Sequence, residues 1–379
     1  MTEITKQYKD AFTLDGRLKP QAGVTKAKVA AVKGLVESAL HGSAISAGTL
    51  KETMTTSDAI FAFAYLTNLN FIPQYDAAPR TWNQVAGTFK VSDFRPATLY
   101  SLTNQWKAGV LGDGNPTHVA PVVPEGEPYP YAYLAGSESA SGGVTKRGFK
   151  TDFTFEAFVN DPVGFIQALP GEMLQVALDT EEFVVYNALI SGVGATEKLV
   201  GGVTADGTTV AANSPISRAA IARAIFELSQ REINGRKIVV NGGFNVIVAP
   251  GQGQIVNFIL NQTYSELNDG SFVMNISGYN PLASVSVVES EYVIGDDWYL
   301  VPKPGSTRRR VLDLGLLVGH ETPEIRVENA TGNYVGGGVV APFEGSFDTD
   351  SATFRLRQIN GGLLWFKQHI VFSNGSGVA

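Results

Sequence analysis

The sequence predicts an α+β chain, and three observations carry that reading. Apolar residues recur at helical spacing from Asp161-Pro162 to Ile190, a run long enough to organise a domain. After it, strand-like runs alternate with short helical ones and end in Gly- and Asp-rich turns. Before it lies PVVPEGEPYPYAYLAGSESASGGVTKRGFKTDFTFE, from Pro121 to Glu156, two extended arms about a tip of small or acidic residues. A tight hairpin needs a turn of about two to five residues, whereas this tip runs from Ala135 to Gly143.

In the long helix the buried stripe is Phe165, Ile166 and Leu169, then Leu174, Leu178, Val185 and Leu189. Asp161 serves as N-cap, with Pro162 at the first helical position. Pro170-Gly171 interrupts the stripe and predicts a kink or a break there. The hairpin arms, at ~3.3 Å per residue, would reach roughly 45 Å. A two-stranded ribbon with so little apolar surface is marginal in water, so its support must come from elsewhere.

Upstream, Thr25–Leu40 places Val29, Val32, Val36 and Leu40 on one helix face, with Gly42 as a stop. A second, largely apolar helix begins near Ser57-Asp58, and residues 74–118 are mixed, with VSDFRPATLYSL extended and GDGNP a turn. Downstream, Ser214-Pro215 opens a helix to about Glu232 that carries Ile216, Ala220, Ile225 and Leu228. RKIVV, FNVIVAP, ASVSVVES and DWYLVPKP are expected as strands and GQIVNFILNQ as a short helix. FRLRQINGGLLWFKQHIVF alternates as a half-buried strand pair, preceded by a Gly-rich loop over 329–349. There is no internal repeat.

With 44% apolar and 17% charged residues, the 379-residue chain is too apolar to be disordered and can bury two or three cores. The absence of cysteine excludes disulfides, thiolate metal sites and a cysteine nucleophile. The stretch Ala59–Pro73 is shorter than the ~20 residues of a membrane span, and MTEITKQYKD lacks a signal peptide's apolar core, so a cytoplasmic chain is expected. Net charge is −7, but residues 1–51 carry +4 and the remainder −11. The basic arm (Lys6, Lys9, Arg17, Lys19, Lys26, Lys28, Lys33) suits a polyanion or an acidic neighbour, and equally a solvated helix face.

Signals for catalysis are thin. His41, His118, His320 and His369 lie far apart, and HETPE at His320 has Glu324 where a second metal-binding histidine would stand. There is no nucleophile elbow and no Gly-Lys-Ser/Thr phosphate loop. VIVAPGQGQIVNFIL offers Gly251 and Gly253 for a phosphate turn but holds Val256 at the third glycine position. Asp348 and Asp350 have calcium-loop spacing without the Gly or the closing Glu. Arg308-Arg309-Arg310 suits phosphate, an acidic neighbour or, more plainly, a solvated strand end. Nothing calls for an enzyme, a metal or a cofactor.

The order of these pieces resembles the major capsid proteins of tailed bacteriophages, the Hong Kong 97 fold, over roughly residues 80–379. The matching features are Glu125-Gly126 at the hairpin entry, Lys146 and Gly148 on its returning arm, and the join into the long helix. NISGYNPLASVSVVESEYVIGDDWYLVPKP and the closing FDTDSATFRLRQINGGLLWFKQHIVF complete the likeness. The resemblance implies an N-terminal arm (1–52) and an extended loop (119–155) that overlies a neighbouring subunit. It implies a peripheral domain from 53–118, 156–195 and 301–367, with a spine helix at about 162–190. An axial domain (196–300) follows, with 368–379 available to rejoin it.

It also implies a virion shell subunit that self-assembles into hexamers and pentamers in the bacterial cytoplasm. The implied partners are other copies, a portal, scaffolding or decoration proteins, and double-stranded DNA held without sequence preference. Implied inter-subunit contacts are Tyr129, Tyr131, Tyr133, Lys146, Arg147, Lys150, Arg308, Arg309, Arg310, Asn333 and Tyr334. A large separate scaffolding domain is not expected. Some relatives join subunits by a Lys–Asn isopeptide bond. Here Lys146 and Lys150 would be donors, but Arg357 stands where the Asn is sought and Asn360 is only a fallback, so no cross-link is expected. Two alternatives remain: an encapsulin-like compartment of the same fold, and a soluble αβ enzyme using the Gly251–Gly253 turn for phosphate.

Overall fold

The computed structural model describes residues 74–106, 120, 122–129, 132–154, 165–204, 207–233, 236–261, 264–268, 273–277, 282–328 and 351–377. The helices expected upstream of residue 74, the Asp161-Pro162 start and the Gly-rich loop 329–349 lie outside these. The elements begin with α1 (Trp82–Val85), β1 (Gly87–Val91), β2 (Ala97–Trp106), β3 (Ala132–Gly142), β4 (Thr145–Thr154) and α2 (Phe165–Gly192). They continue with β5 (Gly202–Val203), β6 (Thr209–Val210), α3 (Arg218–Gln230), β7 (Glu232–Ile233), β8 (Arg236–Lys237), β9 (Phe244–Val248) and α4 (Gly253–Leu260). The remainder are β10 (Tyr264–Asn268), β11 (Val273–Ser277), β12 (Val285–Glu289), β13 (Trp298–Pro302), β14 (Leu312–Leu317), β15 (Glu324–Val327), β16 (Ser351–Leu364) and β17 (Val371–Ser373).

The chain divides into two compact units. One takes Gly148–Val176 and Thr322–Arg357 with the first 78 residues; the other takes Pro79–Arg147, Ala177–Glu321 and Gln358–Ala379. In the first, β15 runs antiparallel to β16 from Glu324↔Arg357 to Val327↔Phe354. Glu324 forms ion pairs with both Arg326 and Arg357 there. Arg357, at the position where a cross-linking Asn was sought, is thus a partner in a strand-to-strand ion pair.

The second unit is built on a four-stranded sheet of order β12-β9-β13-β17. β9 is parallel to β12 and antiparallel to β13. Every residue of β9 and β13 is buried. Side chains alternate across a strand, so Val246, Val248, Trp298 and Leu300 pack on one face with Ala220, Ile221, Ala224 and Leu228 of α3 and Val256 and Leu260 of α4. Ile247, Tyr299 and Val301 pack on the other with Val185, Tyr186 and Leu189 of α2 and Trp82 and Val85 of α1. This is why FNVIV and WYLVP read as nearly continuous apolar runs, broken only by Asn245, which is buried and donates from Nδ2 to the Gln84 carbonyl. Leu312 and Leu314 of β14 join the second face, and β14 lies between parallel β1 and antiparallel β16.

Several expectations need correction. The segment Ala135–Gly143 is not a hairpin tip: most of it lies in β3, which pairs with β2 from Ala97↔Gly142 to Trp106↔Ala132, with a bulge at Ser101/Leu102. The cause is Val144, 3% exposed and packed with Val91, Leu317 and Ile359. Pinned there, the chain leaves one sheet and enters another, so β4 pairs with β16 rather than with β3.

The long helix passes unbroken through Pro170-Gly171 over 28 residues. Pro170 lies near its start and removes a single backbone bond, and a Cβ on Gly171 would meet open space. The helix expected at Ser214-Pro215 opens instead at Arg218, where Ser217 Oγ accepts from Ala220 N at 3.1 Å. The Ser214 carbonyl accepts from Trp298 Nε1 at 3.1 Å and from Ser373 Oγ at 2.7 Å.

The closing strand pair is also different. β16 is a single 14-residue strand, and β17 joins the other sheet beside β13. Gly361-Gly362 is therefore no turn. A Cβ at Gly362 would strike the Val184 carbonyl and Ala188 of α2, so glycine here lets a strand lie against a helix backbone. We predict that Gly362→Val destabilises the unassembled chain by about 2–3 kcal/mol, read as a lowered urea midpoint at unchanged m-value.

Candidate assembly surface

The Gly251–Gly253 turn is not a phosphate site. Gly251 adopts φ 87° and α4 follows, as in a phosphate-binding turn. However, Gly253 N–H donates to Glu289 Oε1 at 2.7 Å, and a Cβ on Gly253 would strike that carboxylate. A carboxylate from the end of β12 thus takes the place an anion would need at this helix end. Buried acids serve the same purpose elsewhere: Glu227 accepts from Val200 N and Gly201 N at 3.1 and 2.9 Å and pairs with Arg223 at 3.1 Å. Among the described residues, no group of three or more His, Asp or Glu could hold a metal ion.

Arg308-Arg309-Arg310 precedes β14 and is more ordered than a solvated strand end. Arg310 Nη1 donates to the Thr88 carbonyl and to Asp313 Oδ2, both at 3.0 Å, and its guanidinium lies 5.4 Å from the Phe89 ring centroid. Arg309 lies 5.1 Å over the Phe366 ring, and Arg308 is exposed. Asp313, 3% exposed, also accepts from Trp365 Nε1 at 2.8 Å. The run borders a cleft of about 290 Å³ with Lys303, Val85, Pro302 and Val311 among its walls. The sequence reading missed Asp313, although its spacing of three from Arg310 was there to find.

The other expected contact residues are scattered. Lys146, Arg147 and Lys150 are exposed on β4. Tyr129 is 84% exposed and Val122 78%, both in the connection between β2 and β3. Tyr133 stands in β3 opposite Gln105. Tyr131, Asn333, Tyr334 and the seven basic residues of the N-terminal arm lie outside the described residues. Asn360, opposite Leu316 in β16, is 1% exposed, and its two side-chain polar atoms have no hydrogen-bond partner among the described residues.

With this geometry in view, comparison with known proteins identifies the family. The model of the phage capsid protein family matches residues 138–368, well over half of the chain. The chain belongs to that family and is a phage capsid protein, with a mixed helix-and-sheet architecture. No curated protein sequence matches it significantly.

Among solved structures, a chain from Mycobacterium phage Patience aligns at 11% identity, covering 86% of this chain and 91% of its own, with a TM-score of 0.41. The virus-like particle of Pyrococcus furiosus aligns at 9%, covering 81% and 98%, TM-score 0.39. The SrpI encapsulin of Synechococcus elongatus aligns at 8%, covering 80% and 89%, TM-score 0.39. These overlaps are loose, and the family assignment rests on the sequence match.

One buried group near the arginines makes stability depend on pH. His369 is 5% exposed, and its Nδ1 lies 3.2 Å from the Phe366 carbonyl oxygen. Burial above all, with Arg309 and Arg231 nearby, pushes its pKa down to about 4 against the Phe366 hydrogen bond. Above pH 6.5 the histidine is neutral in both states and contributes no slope. Below it the unfolded chain takes up a proton that the folded chain refuses, so stability falls as pH drops towards 4. The expected loss is roughly 2 kcal/mol between pH 7 and pH 5, measured by urea titration. His369→Gln should flatten that slope.

Proposed function

We propose that this capsid chain builds a closed icosahedral shell of hexamers and pentamers around double-stranded DNA. The observation that carries the reading is the β2–β3 ribbon and its connection. Ten residues at about 3.3 Å each give β2 roughly 33 Å, with Val122 and Tyr129 left in water. A ribbon of this kind gains stability when a neighbouring subunit covers it, which is the role of the extended loop in the capsid reading.

Within this reading, residues 196–300 form the axial domain at the capsomer centre. The peripheral domain takes 53–118, 156–195 and 301–367 around the spine helix, and residues 1–52 serve as an arm contacting neighbours or polyanion. The exposed cations of β4 and of the Arg308–Arg310 run meet adjoining subunits. A portal and scaffolding or decoration proteins complete the particle, which is assembled in the host cytoplasm. The chain acts as a shell subunit, not as an enzyme, and its subunits stay unlinked because the sought cross-linking position is Arg357.

Expression of the full chain, followed by size-exclusion chromatography and negative-stain microscopy, should yield hollow shells far above the mass of a dimer. A compact dimer as the end state would refute the shell. Boiled, denatured particles should run as one band near 40.4 kDa. A covalent ladder would instead point to the buried, unpartnered Asn360 as an acceptor.

A further inference from the structure

We propose that the basic cleft beside β1 receives the segment Val122–Tyr129 of a second copy of this chain, with Glu125 and Glu127 seated against Lys303 and Arg308. The proposal rests on the shell reading above and names which surfaces meet.

The segment is built to be received. Glu127 N–H donates to the Pro124 carbonyl at 3.1 Å, and Gly126 at the third turn position adopts φ 83°, a geometry suited to glycine. The turn carries one exposed carboxylate on each side of Gly126. Val122 and Tyr129 flank it, 78% and 84% exposed. Among the described residues, nothing in 122–129 forms a hydrogen bond or ion pair with another part of the chain. The segment thus presents two charges and two apolar side chains that no described residue of its own subunit engages.

The cleft is its complement. Four cations line it (Lys303 and Arg308 to Arg310) against one acid, Asp313, which is already engaged by Arg310 and Trp365. That concentration of positive charge lies on a body whose residues beyond 51 sum to −11, so it selects for an anion. Val85, Pro302 and Val311 also line it but are buried in the chain's own core, so charge is what the cleft offers a partner. A duplex would instead need cations tracking a row of phosphates. A single concavity of about 290 Å³ favours a protein turn.

Because the chain has no cysteine, a disulfide can report the contact. Glu127→Cys combined with Arg308→Cys, in assembled particles under mild oxidation, should give a ladder of linked subunits on a non-reducing gel. Each single variant should remain monomeric. Independently, Glu125→Lys/Glu127→Lys should lower shell yield at least tenfold, as should Lys303→Glu/Arg308→Glu, and combining all four should restore it.

Shells formed at full yield by the charge-reversed variants, with no ladder from the paired cysteines, would overturn the proposal while leaving the shell intact. Normal shells that lose only their nucleic acid on Lys303→Glu/Arg308→Glu would assign the cleft to phosphate instead. Failure of the unmodified chain to form shells would overturn the reading beneath, and this proposal with it.

Discussion

A sheet with no solvent face is the constraint on which the larger unit depends. β9 and β13 are buried along their whole length, so something apolar must cover each side. α3 and α4 cover one, and α1 and α2 the other. Burying a Val, Leu or Ile side chain is worth about 1.5–3 kcal/mol, so the aliphatic and aromatic side chains of β9 and β13 that face these helices dominate local stability. The same constraint fixes topology, since a sheet buried on both sides must draw helices from distant parts of the sequence. α1, α2 and α3 all precede its strands in the chain, and α4 lies between β9 and β12.

Polar groups inside this arrangement are handled mostly by carboxylates that hold backbone or indole N–H groups. Glu182 accepts from Thr81 N at 2.6 Å and from Trp82 N at 3.3 Å, and Glu181 accepts from Trp82 Nε1 at 3.2 Å. Two consecutive acids of α2 thereby dock α1. Glu289 closes the start of α4, Glu227 the bend at Val200-Gly201, and Asp313 joins Arg310 to Trp365. All but the Asp313–Arg310 pair join residues at least 26 positions apart in the chain. An acidic chain thus uses part of its negative charge as internal fastening, which leaves fewer acids at the surface than its composition suggests.

How much of this was legible in the sequence depends on the range of the interaction. FNVIV, WYLVP and the run from Phe165 onward announced their own conformation, because apolar periodicity is local. Which strand pairs with which was not legible. AGSESASGG is compatible with a loop tip and with a strand, and the choice is made by Val144 meeting Val91, Leu317 and Ile359. Gly361-Gly362 imitates a turn because sequence shows a missing side chain, not the Val184 carbonyl that requires it missing. In the candidate surface the three arginines were visible as charge, whereas the Phe89 and Phe366 rings beneath two of them come from other places in the chain.

Val144 has a consequence for how such chains change over generations. It sits between β3 and β4 and is held by residues that belong to neither the ribbon nor its connection. The chain enters and leaves the ribbon at adjacent points, since a Cβ on Gly143 would lie 3.7 Å from Pro96 Cα. The base of the ribbon (Ala97, Leu99, Ala140) packs on Leu363, Trp365 and Phe366, so the ribbon beyond that base is a separable module. A lineage can lengthen, shorten or replace that module without redrawing the sheets behind it.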